Sequence, residues 1–198
     1  SGRSGALPWI GEGMYKMNWT APKGYKRAVL VFDGAMSQPV VSVNGKEAGK
    51  WAYGYNAFRI DITPFIQFGK RNLIEVHLNN VEESSRWYPG GGLYRPVSVE
   101  LYGNENFSTW DTFVRTLKAD KQEAEVEVNA LLEGKIGKSG KTVIALLDEA
   151  GTKVVEQTIK GATPEIKTTL KVANPQLWSP ESPYLYQVKL TRYEGKKV

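Results

Sequence analysis

The chain has 198 residues, no cysteine and one histidine, which excludes a disulfide framework, thiolate chemistry and any metal site built on a histidine pair. An apolar share of 41 % is that of a folded globular protein, and no run approaches the roughly 20 apolar residues of a membrane-spanning helix. The net charge of +5 is mild, and its excess gathers in residues 134–141 and at Lys196-Lys197, read as a solvated hairpin tip and a chain end. Neither a nucleic-acid nor a membrane partner is expected.

In chain order, Ser1-Gly2-Arg3-Ser4-Gly5 has no apolar core and no leader pattern. Val29, Leu30, Val31 and Phe32 form an apolar strand that Asp33-Gly34 ends. Val41 and Val43 alternate with Ser42 and meet Asn44-Gly45, a dipeptide that readily takes the positive φ angles of a type I′ hairpin. Phe58, Ile60 and Ile62 alternate with Arg59 and Asp61 until Thr63-Pro64, because proline cannot donate to a ladder. Ile74, Val76 and Leu78 make the next strand, with Glu75 and His77 on its other face. Val97, Val99 and Leu101 close the first half.

The second half predicts strands at 112–117, 124–132, 142–147, 154–159, 166–172 and 184–193. No segment sustains a helical period over three turns, so the chain reads as all-β, two sandwiches in series. The polar, turn-forming Gly103-Asn104-Glu105-Asn106 is taken as the boundary, giving domains 1–104 and 105–198. Aromatics and glycine concentrate in the first and lysine, glutamate and threonine in the second, so ligand contacts are expected in the first.

Four stretches carry a family resemblance. They are Gly11-Glu12-Gly13-Met14-Tyr15-Lys16; the stretch from Val29 through Asn44-Gly45 to Tyr55-Asn56-Ala57-Phe58-Arg59-Ile60-Asp61-Ile62-Thr63; the loop Ser85-Arg86-Trp87-Tyr88-Pro89-Gly90-Gly91-Gly92-Leu93-Tyr94-Arg95; and Pro175-Gln176-Leu177-Trp178-Ser179 with Pro183-Tyr184-Leu185-Tyr186. In this order and spacing they resemble glycoside hydrolase family 2, the β-galactosidases and their relatives. The resemblance implies an N-terminal galactose-binding-like jelly-roll followed by an immunoglobulin-like sandwich. It also implies a downstream (β/α)₈ barrel holding both catalytic glutamates. The chain would then be the non-catalytic N-terminal region of a retaining glycosidase. Its partners would be a galactoside-like glycan and its own barrel, homo-oligomers being compatible, with no cofactor. The same scaffold serves β-glucuronidases and β-mannosidases, and a stand-alone carbohydrate-binding module is the alternative. Two departures are expected: an earlier stretch typical of the family is missing, and one more strand should follow residue 198 to close the second sandwich. A periplasmic or secreted bacterial setting is preferred, and a cytoplasmic one also fits.

No catalytic residue is expected within the chain. Retaining glycosidases need two carboxylates about 5 Å apart, whereas Glu123, Glu125 and Glu127 alternate on an exposed strand face. Asn104-Glu105 mimics the family's acid/base pair but sits at the expected linker. His77 reads as a strand-face residue, and Gly90-Gly91-Gly92 lacks the Lys-Ser/Thr of a phosphate loop and serves to turn the backbone sharply beside another segment. The candidate substrate contacts are Arg86, Trp87 and Tyr88. Either a ring stacks on a pyranose while Arg86 donates to hydroxyls, or the rings pack beneath the loop and Arg86 pairs with Glu82 or Glu83. Some family members carry an acidic sugar contact near the Arg86 position, and an arginine departs from that pattern. Tyr94 and Arg95 are read as anchors of the return strand. Trp51, Tyr53 and Tyr55 form a second aromatic cluster, assigned to inter-domain packing ahead of a sugar platform.

Overall fold

The computed structural model describes residues 10–81 and 90–195. Every regular element among them is a β-strand. The chain divides into two compact units, Ser1–Gly103 and Asn104–Val198.

Unit 1 is a sandwich of two antiparallel sheets. One runs β1-β6-β3-β4, from β1 (Gly11–Thr20), β6 (Arg71–Asn80), β3 (Val40–Val43) and β4 (Lys46–Lys50). The other runs β5-β2-β7, from β5 (Phe58–Asp61), β2 (Arg27–Phe32) and β7 (Val97–Tyr102). The alternation read from the sequence decides the faces: Ile74, Val76 and Leu78 of β6 are buried, as are Val41 and Val43 of β3. They meet Leu30, Phe32, Phe58 and Ile60 of the facing sheet in one core. Asn44 (φ 51°) and Gly45 (φ 77°) take the left-handed angles expected of the β3–β4 hairpin. The Asn44 amide also ties the turn to Phe65 O and Asn72 Oδ1, both at 2.9 Å.

Two strands of unit 1 were not expected from periodicity. β1 carries Met14, Lys16 and Asn18 opposite His77, Glu75 and Leu73 on one face, a mixed pattern that masks its period of two. β4, Lys-Glu-Ala-Gly-Lys, has almost no apolar content and exists because the hairpin returns it onto β3.

Unit 2 packs two further sheets. β10 (Glu123–Gly134) is flanked by β13 (Glu165–Ala173) on one side. On its other side it pairs both β9 (Phe113–Ala119) and β8 (Glu105–Phe107). The second sheet runs β12-β11-β14, from β12 (Lys153–Lys160), β11 (Gly140–Leu147) and β14 (Gln187–Glu194). Val128, Ala130 and Leu132 meet Ile144, Leu146, Ile166 and Leu170 between them. The polar stretch read as a linker turns out to contain β8. Glu105 is accommodated in that ladder because the Arg192 guanidinium, 87 residues away in sequence, lies against its carboxylate. The last strand begins at Gln187 rather than at 184: Tyr184 and Tyr186 instead stack edge-to-face at 5.1 Å, and their hydroxyls accept from Glu149 N and Gln176 N.

Candidate functional site

Arg86, Trp87 and Tyr88, the expected substrate contacts, lie outside the described residues, together with Glu82 and Glu83. What is on view is how the two ends of their segment are held. On the entering side, Asn79 at the end of β6 donates from its backbone to Ser37 O at 2.9 Å, and Ser37 Oγ donates back to Asn79 O at 2.5 Å. The next residue, Asn80, is buried.

On the returning side the triglycine does what its composition foretells. A Cβ at Gly91 would press on the Asn80 side chain at 3.1–3.3 Å. Gly92 has φ 120°, and a Cβ there would stand 2.7 Å from Tyr15 Oη. That close approach lets Gly92 exchange two backbone hydrogen bonds with Met36, of 3.0 and 2.7 Å. Beyond it, Leu93 N donates to Tyr15 Oη at 3.4 Å and Tyr94 Oη donates to Gly54 O at 2.8 Å. Arg95 donates to Asp33 O at 3.4 Å and lies 5.3 Å from the Tyr94 ring. Tyr94 and Arg95 are thus anchors, as expected, and both ends of the segment are fastened by hydrogen bonds to neighbouring strands and loops.

The second aromatic cluster forms the next loop along. Trp51 stacks on Phe58 (5.5 Å, 7°) and Phe58 on Phe32 (4.6 Å, 5°), so Trp51 is the outermost ring of a column rising from the core. Its Nε1 donates to Asn56 Oδ1 at 2.9 Å. Tyr53 and Tyr55 stand tilted to each other at 5.7 Å and 58°.

The acidic residues considered for chemistry are engaged with cations. Glu125 faces Lys171 at 3.0 Å, and Glu127 faces Arg115 at 3.0 Å and Lys167 at 3.7 Å. Asn129, then Arg115 and Lys167, hold the Glu127 carboxyl below its ordinary value. Glu105 is bound up with Arg192 inside unit 2 and is structural. His77 lies on the β6 face with Nε2 3.3 Å from Glu12 Oε2. Among the described residues no group of three or more His, Asp or Glu side chains could hold a metal ion. Sequence reasoning missed the roles of Tyr15 and Met36; their only signal would have been the need of a glycine-rich loop for something to lie against.

Comparison with known proteins places this geometry. A family model described as glycosyl hydrolases family 2 matches residues 107–198. A Formosa agariphila protein with β-glucuronidase in its assigned name is 34 % identical over the whole chain, and a β-galactosidase from Bacteroides ovatus is 33 % identical over 92 % of it. The crystal structure of a family 2 member from Bacteroides cellulosilyticus superposes with a TM-score of 0.82 over 96 % of the chain at 33 % identity. The chain spans about a fifth of the length of the two curated relatives (19 % and 22 %) and 27 % of the Bacteroides cellulosilyticus chain. With relatives matching from end to end and the family model on unit 2, the chain belongs to glycosyl hydrolases family 2.

Proposed function

We propose that the chain is the non-catalytic N-terminal region of a β-galactosidase-like retaining glycosidase. In this reading it supports a catalytic barrel carried elsewhere in the protein and lends that barrel the segment bearing Arg86, Trp87 and Tyr88 as part of the sugar pocket. The intact enzyme hydrolyses terminal O-glycosidic bonds. The observation that carries the reading is the end-to-end match to relatives, named for β-galactosidase and β-glucuronidase, of which this chain is a fifth. The double hydrogen bond between Gly92 and Met36 supports the pocket assignment, because a loop that must meet a sugar needs fixed ends. The engaged acids support a supporting rather than a reacting role.

The test is activity of the 198-residue chain beside that of the intact protein. The chain alone should leave nitrophenyl β-galactoside and β-glucuronide untouched. The intact protein should hydrolyse one of them, and Trp87→Ala in it should raise KM several-fold. Turnover by the chain alone, or none by the intact protein on any terminal glycoside, overturns the proposal.

A further inference from the structure

We infer that Tyr53 and Tyr55 form a second saccharide-stacking site in unit 1, which takes an uncharged pyranose of a longer glycan through its C–H face. The inference rests on the glycan reading above and adds to it a place for a further sugar unit.

The loop between β4 and β5 is fastened where it matters. Gly54, between the two tyrosines, is buried and accepts the Tyr94 hydroxyl at 2.8 Å. It lies so close over Met36 that a Cβ would stand 2.5 Å from the sulfur. Trp51 is stacked on the core column and pinned to Asn56. Yet Tyr53 and Tyr55, on either side of that buried pivot, are 59 % and 47 % exposed. Large rings are ordinarily well buried, and a rigid frame that holds two of them out is a feature of recognition surfaces.

The pair also has a shape. At 5.7 Å and 58° the rings are tilted rather than stacked, so the pair presents two differently oriented aromatic faces. A sugar has an apolar C–H face and an edge of hydroxyls that tyrosine can both donate to and accept from. Residues 51–57, Trp-Ala-Tyr-Gly-Tyr-Asn-Ala, contain no charge. Single-stranded nucleic acid, which also stacks on aromatics, would demand cations there. A neutral saccharide does not.

Position links this platform to the candidate pocket. Met36 pairs its backbone with Gly92 and packs its side chain against Gly54, and Tyr94 follows the triglycine and bonds the same glycine. The returning end of the sugar segment and the tyrosine loop therefore share two anchors, Met36 and Tyr94.

The experiment is an amide-resolved NMR titration of the 198-residue chain with β-1,4-galactotetraose, repeated on Tyr53→Ala and Tyr55→Ala, with Tyr53→Phe to separate ring from hydroxyl. Both rings are exposed, and the amide shifts of the variants outside residues 51–57 check that the fold is kept. The inference expects shifts at residues 52–56 and a loss of affinity of at least about fivefold in each alanine variant, the effect of one stacked ring. Shifts confined to residues 90–95, with the variants binding as wild type, would overturn the second site and leave the glycan reading standing. Rings that shift only on joining the rest of the enzyme, or that shift with a single-stranded oligonucleotide instead, also overturn it. If no terminal glycoside is turned over by the intact protein either, the reading beneath it falls as well.

Discussion

At the scale of single residues, Arg192 of unit 2 shows how distant sequence positions settle local structure. Its side chain is 8 % exposed and meets Glu105, itself 11 % exposed, at 3.4 Å. Its remaining donors reach Gly161 O at 2.9 Å and Gly137 O at 3.0 Å. A guanidinium out of water needs both its acceptors and its counter-charge, and removing the partner costs more than the pair contributes. Glu105→Ala should therefore destabilise unit 2 by about 2–3 kcal/mol, while Glu105→Gln, which keeps an acceptor, should cost clearly less. Urea unfolding of the two variants checks this; equal midpoints for both would show that the acceptor kept by glutamine contributes nothing. The same residue explains why β8 was hidden. Gly103-Asn104-Glu105-Asn106 has the composition of a turn, and it takes the positive charge of Arg192 from β14, with the Gly137 N–H beside it, to make a glutamate welcome in the ladder.

At the scale of elements, β10 is the hub of unit 2, pairing β13 on one edge and β9 and β8 on the other. Its Glu127 receives Asn129 Nδ2 at 3.1 Å and Arg115 at 3.0 Å, with Lys167 of β13 across the ladder at 3.7 Å. These partners favour the ionised carboxylate, so its pKa in the folded state lies below the ordinary 4.5. A depressed carboxylate contributes stability above the unfolded-state value and loses it as pH falls through the folded one. The stability gap between wild type and Glu127→Gln should thus be constant from neutral pH down to about 4.5 and close below it. Urea midpoints measured from pH 7 to pH 3 give the answer, and a gap that widens in acid contradicts it. Strands such as β6 and β13 were legible because alternating residues are buried down their whole length, a pattern that follows directly from the pleat. β1, β4 and β8 were not, because each is specified by its partner strand and not by its own period. At the site, the anchoring role of the triglycine was readable from glycine's freedom alone. Its counterparts Tyr15 and Met36 were not, since nothing in a lone tyrosine or methionine says which loop will lie against it.

At the scale of the whole chain, the apolar residues sort into two cores that share no member. One is drawn from positions up to Leu101 and the other from Phe107 onward. Hydrophobic stabilisation follows the apolar area removed from water, so each core accounts for the folding of its own unit. The match to the family model, residues 107–198, also lies wholly within the second unit. Residues 104–198 expressed alone should therefore fold, beginning at Asn104 because its carbonyl accepts Lys135 N at 2.8 Å and because β8 must be present to neutralise Arg192. The expected result is a β-type circular dichroism spectrum and one cooperative urea transition. Glu105→Ala and Glu127→Gln should shift that transition as they do in the full chain. A piece starting at residue 108 should be weaker, having lost β8 and left Arg192 without its carboxylate. If the 104–198 piece is unfolded while the full chain is not, the second core does not suffice by itself, and its stability has to come from the first unit.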